Sequence, residues 1–344
     1  MDPSTRPYLS VILTSFNESH HLDRILQDLA KQSYPDEKFE LLILEAGEKN
    51  EDRVREKLGN RQSLLKYYHV PALSRTASLN FLVKESQGEL VARVDARTHV
   101  DANYLEQLVK LSEESGAANV GGVKIPVGET EEQQLIAQVM SHPLSFGGGK
   151  FRNQNYVGHA DSVYLGCFRK KLMPPEPWFD EKFPKISEDS DLNFRVRQFG
   201  MKVFVDASIK VEHFPRETLV DFLKLSFSYG VGRGLFFLRH KKNSALRQLI
   251  PPLALFSGII LLILGFVYPF VHTLLILGIS VYLTGVIYSA YSISLAKRKI
   301  YPEILTYLTF CFVGCHLLWM IGLLKSIQEF RRNIKDSGSA FLKR

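Results

Sequence analysis

Residues 187–195 read SEDSDLNFR, so Glu188, Asp189 and Asp191 place three carboxylates in four positions ahead of an amphipathic pattern. Acids spaced so closely suit three kinds of chemistry. They load the first turn of a solvated helix, where unpaired N–H groups favour negative charge and Ser187 is placed as the cap. They bind a hard cation through oxygen. Or one of them serves as a general base beside a bound substrate. A second set of polar residues is dispersed over the first hundred positions: Asn17, Glu18, Glu45 and Asp95, each closing an apolar run.

Those runs are the elements that must position them. Residues 8–16 (YLSVILTSF), 39–47 (FELLILEAG), 64–70 (LLKYYHV) and 89–97 (ELVARVDAR) are apolar segments of strand length, the pattern of strands buried on both faces. Helical patterns lie between them. One opens at Asn17-Glu18-Ser19 and carries Leu22, Ile25, Leu26 and Leu29, and another covers 75–86 (RTASLNFLVKES). Alternating strand and helix predict an α/β domain with a mostly parallel sheet and helices on both faces. Ligands bind such a sheet beyond the carboxyl ends of its strands. The four strand-end residues are therefore expected to line one crevice, where carboxylates and amides suit a ribose or a base. No Walker loop or G-x-G-x-x-G run accompanies them, and FGGGKFR (146–152) lacks phosphate-loop spacing and reads as a flexible loop.

Past Arg239 the composition changes. Segments 249–270, 271–296 and 303–324 are apolar, each near the ~20 residues a bilayer-crossing helix needs. A basic cluster, RHKKNSALR (239–247), precedes the first, and KRK (297–299) separates the second from the third. Both belong on the cytoplasmic side, which makes a hairpin of the first two spans. Three crossings would then put the basic tail of Lys325, Arg331, Arg332 and Lys335 outside. Either that tendency fails here, or the last segment is re-entrant or split. The N-terminus lacks the basic start of a signal peptide, so the expectation is an integral membrane protein with a cytoplasmic head. The formal charge of +7, partly concentrated at the membrane flanks, fits anionic lipid better than nucleic acid, for which no fold signature is present. The three cysteines form no metal pattern, and Cys311 and Cys315, one turn apart in an apolar span, read as packing residues.

Five stretches carry a resemblance. SVILTSFNE, ASLNFLVKESQGELVARVDAR, VYLGCFRK, WFDEKFPKISEDSDLNFRVRQFG and VEHFPR follow one another in the order and spacing of the family 2 inverting glycosyltransferases. The chain looks most like the membrane-bound bacterial branch that builds exopolysaccharide repeat units, the succinoglycan-type glucosyltransferases. The resemblance covers about residues 8–235, and more loosely the apolar tail. It implies a GT-A catalytic domain over 1–218, an interfacial amphipathic region over 219–245, and transmembrane helices with a basic tail over 246–344. The implied reaction moves a sugar from a nucleotide diphosphate, usually a UDP-sugar, to an acceptor hydroxyl with inversion. The three spans favour an acceptor saccharide on polyprenyl diphosphate; transfer to polyprenyl phosphate itself, a processive synthase and an inactive membrane-anchored sugar-nucleotide sensor are the alternatives.

The resemblance also implies roles. Asn17 and Glu18 sit beside the nucleoside, Glu45 stands where the family has an Asp at the base, and Asn80 matches the Asn on the helix before the metal strand. The family's D-x-D motif, which holds a divalent cation (Mg²⁺ or Mn²⁺) on the diphosphate, reads Asp95-Ala96-Arg97 here. Asp95 is the expected metal or ribose contact, and His213 occupies the place of a further metal ligand. Arg97 cannot bind a cation; it meets the diphosphate with its planar fork or pairs with a nearby acid. Asp189 is the implied base, Glu188 helps shape the site, and Asp191 orients the helix. Trp178, Phe179 and Asp180 lie in a segment suited to covering a sugar acceptor, although the two aromatics suit a core equally. Arg233 in GVGRG falls where relatives keep a basic residue against the diphosphate.

Overall fold

The first strand of the chain is buried at every position but Thr14, and the architecture follows from covering it on both sides. In the computed structural model, which describes residues 6–146, 148–182, 186–240, 250–298 and 300–337, the chain forms two units: residues 1–126 with 148–214, and residues 127–147 with 215–344.

The first unit runs β1 (Leu9–Ser15), α1 (Ser19–Ala30), β2 (Phe39–Glu45), α2 (Glu51–Leu58), β3 (Leu65–His69), α3 (Arg75–Glu85), β4 (Leu90–Asp95), β5 (Thr98–Val100), α4 (Tyr104–Ser115) and β6 (Asn119–Pro126). After α5 (Glu131–Ser141), which belongs to the second unit, it resumes with β7 (Val157–His159), β8 (Tyr164–Arg169), α6 (Glu188–Gln198) and β9 (Val203–His213). The strands form one sheet in the order β3-β2-β1-β4-β8-β6-β9-β5, with β7 beside β9. One face carries Val11 and Leu13 against Ile25 and Leu26 of α1 and Leu105 and Leu108 of α4. The other carries Ile12, Leu42 and Val91 against Leu79 and Leu82 of α3 and Leu192 and Val196 of α6. Each such side chain contributes about 1.5–3 kcal/mol by burial, and the side chains alternate between faces as a strand requires.

Strands β3, β2, β1 and β4 are parallel to one another, as the apolar runs predict. The other half of the sheet is mixed: β8 is antiparallel to both β4 and β6, β5 and β7 are antiparallel to β9, and β6 pairs with β9 in parallel. Registers set Ser15 opposite Glu45, Glu45 opposite His69, and Thr14 opposite Asp95. The carboxyl ends of β1, β2, β3 and β4 therefore share one edge. Because two antiparallel steps through β8 restore direction, β6 and β9 also end there, and β8 begins there with Tyr164.

The second unit is helical: α5, then α7 (Leu219–Arg239), α8 (Ile250–Gly265), α9 (Val271–Ala296) and α10 (Pro302–Ser337). The boundary expected at 218 is thus not the whole division. α5 leaves the sheet domain because Leu135, Ile136, Val139 and Met140 bury against Phe222, Val286, Leu308 and Phe312. Glu132 Oε1 fixes it there by accepting from Leu219 N at 2.8 Å and from the Tyr307 hydroxyl at 2.9 Å. Helices α9 and α10 are long and apolar enough to cross a membrane. The described part of α8, Ile250–Gly265, has 16 residues, about 24 Å at 1.5 Å per residue. α10 continues unbroken for 36 residues, so the third segment is neither split nor re-entrant, and Lys325, Arg331, Arg332 and Lys335 ride on the same helix. α7 packs along α10 through small residues. A Cβ on Gly230 would lie 2.0 Å from Trp319 O, and one on Gly322 would lie 2.1 Å from Phe227 O. The basic residues 241–247 and Lys299 lie outside the described residues.

Candidate active site

Asp95 ends β4, and both of its oxygens accept from guanidinium groups. Arg75 Nη2 donates to Oδ2 at 2.9 Å, while Arg93 Nε donates to Oδ1 at 3.2 Å and its Nη2 to Oδ2 at 3.4 Å. Arg93 stands two residues earlier on the same strand, hence on the same face. Arg75 is the first residue of α3, placed by Ser74, whose Oγ caps the helix by accepting from Ala77 N at 3.2 Å. Burial alone would raise the Asp95 carboxyl, but Arg75 and Arg93 hold it well below the usual carboxylate range. The same guanidiniums bind Glu188, with Arg93 Nη1 at 3.2 Å and Arg75 Nε at 3.5 Å from its Oε1.

Asp189 differs from its neighbour. Glu188 is 4% exposed and held by the arginine pair, whereas Asp189 is half-buried at the start of α6. One Asp189 oxygen, Oδ1, accepts from Ser190 N at 2.7 Å, and the side chain forms no ion pair among the described residues. Its charge is nevertheless felt at Arg93, Glu188 and Lys124, which places it in the same cluster. Asp191 is fully buried and pairs with Arg195 one turn on, 2.9 Å from Nε. Ser187 precedes the acids in a left-handed conformation (φ 76°) with no side-chain capping bond, so the expected Ser187 cap does not form.

Three residues absent from the sequence reading complete the cluster: Arg75, Arg93 and Lys124. Lys124, on β6, is 5% exposed with its ammonium 4.9 Å from the centre of the Tyr164 ring. Burial pushes that ammonium well below the ordinary lysine value. The Tyr164 hydroxyl in turn meets His213 Nδ1 at 2.9 Å. Burial and the charge of Lys124 hold His213 well below the usual histidine range, so its imidazole is neutral. A signal for Lys124 does exist in the sequence: it is the lone cation in the apolar strand NVGGVKIP.

The expected nucleotide residues reach the same sheet edge but are engaged with the protein. Glu18 Oε1 accepts from Arg97 Nε at 2.9 Å, so Arg97 pairs with an acid. Asn17 Oδ1 accepts from Glu48 N at 3.0 Å. Glu45, placed by sequence at a base, accepts instead from Asn50 N at 2.9 Å, Asn50 Nδ2 at 3.2 Å and the Tyr67 hydroxyl, tying down the loop after β2. Asn80 is likewise a staple. Its Nδ2 donates to Phe179 O at 2.7 Å and its Oδ1 accepts from Phe179 N at 2.9 Å. Trp178 and Phe179 are core residues, 3% and 0% exposed, which rules out both as acceptor contacts in this state; Asp180 is buried as well. Arg233 lies on α7 in the second unit, stacked 5.4 Å from the Phe236 ring.

Asp95 and His213 do not fit a cation cage. Among the described residues no three His, Cys, Asp or Glu side chains converge as metal ligands. Both Asp95 oxygens already accept from the Arg75 and Arg93 guanidiniums.

Residues 10–172 match the family model "Glycosyl transferase family 2". The chain is 23% identical over 328 residues to succinoglycan biosynthesis protein ExoA of Rhizobium meliloti (strain 1021), covering 94% of this chain and 96% of that one. It is 25% identical over 238 residues to dolichyl N-acetyl-alpha-D-glucosaminyl phosphate 3-beta-D-2,3-diacetamido-2,3-dideoxy-beta-D-glucuronosyltransferase of Methanococcus voltae, covering 66% of this chain and 73% of that one. Among solved structures it resembles a mannosyltransferase from Pyrobaculum calidifontis in complex with GDP-Man and Mn²⁺, with a TM-score of 0.55 and 14% identity, over 95% of this chain and 88% of that one. The fold is that of the GT-A group.

Proposed function

Because this chain carries a family 2 glycosyltransferase domain and is a transferase, we propose that it moves a sugar, with inversion, from a UDP-sugar to a saccharide carried on polyprenyl diphosphate. The setting is polysaccharide or glycan synthesis at the cytoplasmic face of a membrane. The single observation that carries the reading is the pairing of two adjacent acids with opposite surroundings. Glu188 is locked by Arg75 and Arg93, while Asp189 is half-buried beside them and forms no ion pair among the described residues.

A carboxylate so placed serves as the general base. Asp189 takes the proton of the acceptor hydroxyl as its oxygen attacks the anomeric carbon. The bond from that carbon to the diphosphate oxygen breaks, and its electron pair leaves with the nucleotide. Asn17 and Glu18 are the strand-end groups assigned to the nucleoside side. A divalent cation is the family expectation, and the mannosyltransferase from Pyrobaculum is described with Mn²⁺; the residues of this chain do not build its cage, and no step here runs through one.

Lipid-linked transfer is supported by the name of the Methanococcus relative, which acts on a dolichyl-linked sugar phosphate, and a polysaccharide setting by the Rhizobium relative in succinoglycan biosynthesis. It is supported as well by the helices of the second unit, where Phe256, Phe266, Ile276, Val281 and Phe310 are all more than 60% exposed. Large apolar side chains so exposed suit lipid. Membranes containing the full chain, supplied with a panel of UDP-sugars, GDP-mannose and a polyprenyl-diphosphate saccharide, test the reading. Release of UDP with labelled sugar entering the lipid fraction is expected; no release from any donor would count against it.

A further inference from the structure

Resting on that reading, we propose that Arg75, Arg93 and Lys124, rather than a bound divalent cation, meet the charge of the donor's diphosphate. Asp95, the position that would hold a metal, is occupied by two guanidiniums, one of them from its own strand. The second acidic position of the motif is Arg97, which binds Glu18. His213 uses Nδ1 on the Tyr164 hydroxyl. The Asp95 oxygens and the second motif position are thus taken up by guanidinium contacts, and His213 Nδ1 is held by Tyr164.

Lys124 is the independent observation. Lys124 is 5% exposed as a residue, and among the described residues its ammonium lies over the face of Tyr164. Burial pushes this group toward the neutral amine, and an anionic ligand at the sheet edge favours its charged form. Arg75 has donors in reserve: its Nε is buried and makes no hydrogen bond, 3.5 Å from Glu188. Asp95 and Glu188 then act as positioning residues that aim two planar forks, and planar forks match phosphate oxygens in pairs. As the bond to the anomeric carbon breaks, its electron pair settles on a diphosphate oxygen, and these fixed N–H groups offset the added charge. No metal or other co-reactant is needed for the step to balance.

The test is calorimetric titration of UDP, GDP and inorganic pyrophosphate into the full chain in detergent, first with EDTA and then with Mn²⁺. Electron paramagnetic resonance reports bound Mn²⁺ in parallel. Lys124→Met replaces the ammonium by an apolar chain of similar length, and Lys124→Arg restores the charge. Expected are binding in EDTA, less than a threefold change in Kd on adding Mn²⁺, at least tenfold weaker binding by K124M with partial recovery in K124R, and no nucleotide-dependent Mn²⁺ signal. Binding that demands Mn²⁺, or a folded K124M that binds as wild type, overturns the inference and leaves the transferase reading standing. Failure of all three probes to bind in either buffer overturns both.

Discussion

Arg75, at the first position of α3, reaches Asp95 at the last position of β4, Nη2 to Oδ2 at 2.9 Å. The contact joins a helix start to a strand end across the sheet edge where we propose the donor binds. Removing one preorganised donor from such a site lowers turnover by about 10²–10³-fold. Arg75→Ala is expected to lose that much in kcat/KM for the nucleotide sugar. Arg75→Lys recovers only part, because an ammonium cannot serve Asp95, Glu188 and a phosphate in one plane.

Asn80 holds Phe179 by two backbone hydrogen bonds across 99 residues of sequence. Asn80→Ala leaves a buried backbone N–H and C=O without partners, costing about 1–3 kcal/mol for each. Thermal unfolding of the full chain should begin lower, with KM for donor and acceptor changing by similar factors. A selective rise in KM for the donor would place Asn80 at the nucleotide instead.

Glu40 is a buried carboxylate remote from the strand-end edge. Burial pushes it up, but Lys66 at 2.7 Å, Ser10 Oγ at 2.6 Å and Gln87 N at 2.7 Å together bring it below the usual glutamate value. A depressed carboxyl stabilises the fold above the unfolded-state pKa and loses that contribution as pH falls through the folded-state value. Glu40→Gln should therefore cost about 1–3 kcal/mol at pH 7. The gap from wild type should narrow as pH falls below about 4, read by unfolding across a pH series.

The α7–α10 contact depends on absent side chains. Gly230→Ala and Gly322→Ala drive a methyl to 2.0 and 2.1 Å from opposing carbonyl oxygens and are expected to cost about 1–3 kcal/mol each by overpacking. Gly278→Ala and Gly285→Ala on α9, where a Cβ meets nothing within 4 Å, should be neutral or slightly stabilising. Melting of the four variants in one detergent separates the pairs.

The parallel half of the sheet was legible because its strands are buried on both faces: the runs at 8–16, 39–47, 64–70 and 89–97 correspond to β1, β2, β3 and β4. The mixed half was not. β5 and β7 are three residues each, too short to show a period, and the sequence cannot tell that β8 turns against its neighbours. At the site, the strand-end acids were legible as residues but not as partners. Glu45 and Asn80 carry the polarity of ligand contacts, yet their hydrogen bonds run to Asn50 and Phe179. Arg93 could have been found, since a spacing of two on a strand puts it on the face of Asp95. Arg75 could not, because only the fold brings α3 to the end of β4.

The central claim is that Asp189 removes the acceptor proton while the donor is held by other groups. Steady-state transfer by Asp189→Asn, with UDP binding measured on the same preparation, tests it most directly. The account predicts kcat reduced by about 10²–10⁴-fold with UDP affinity within about twofold of wild type. Turnover near wild type, with the variant folded and binding UDP, would contradict it.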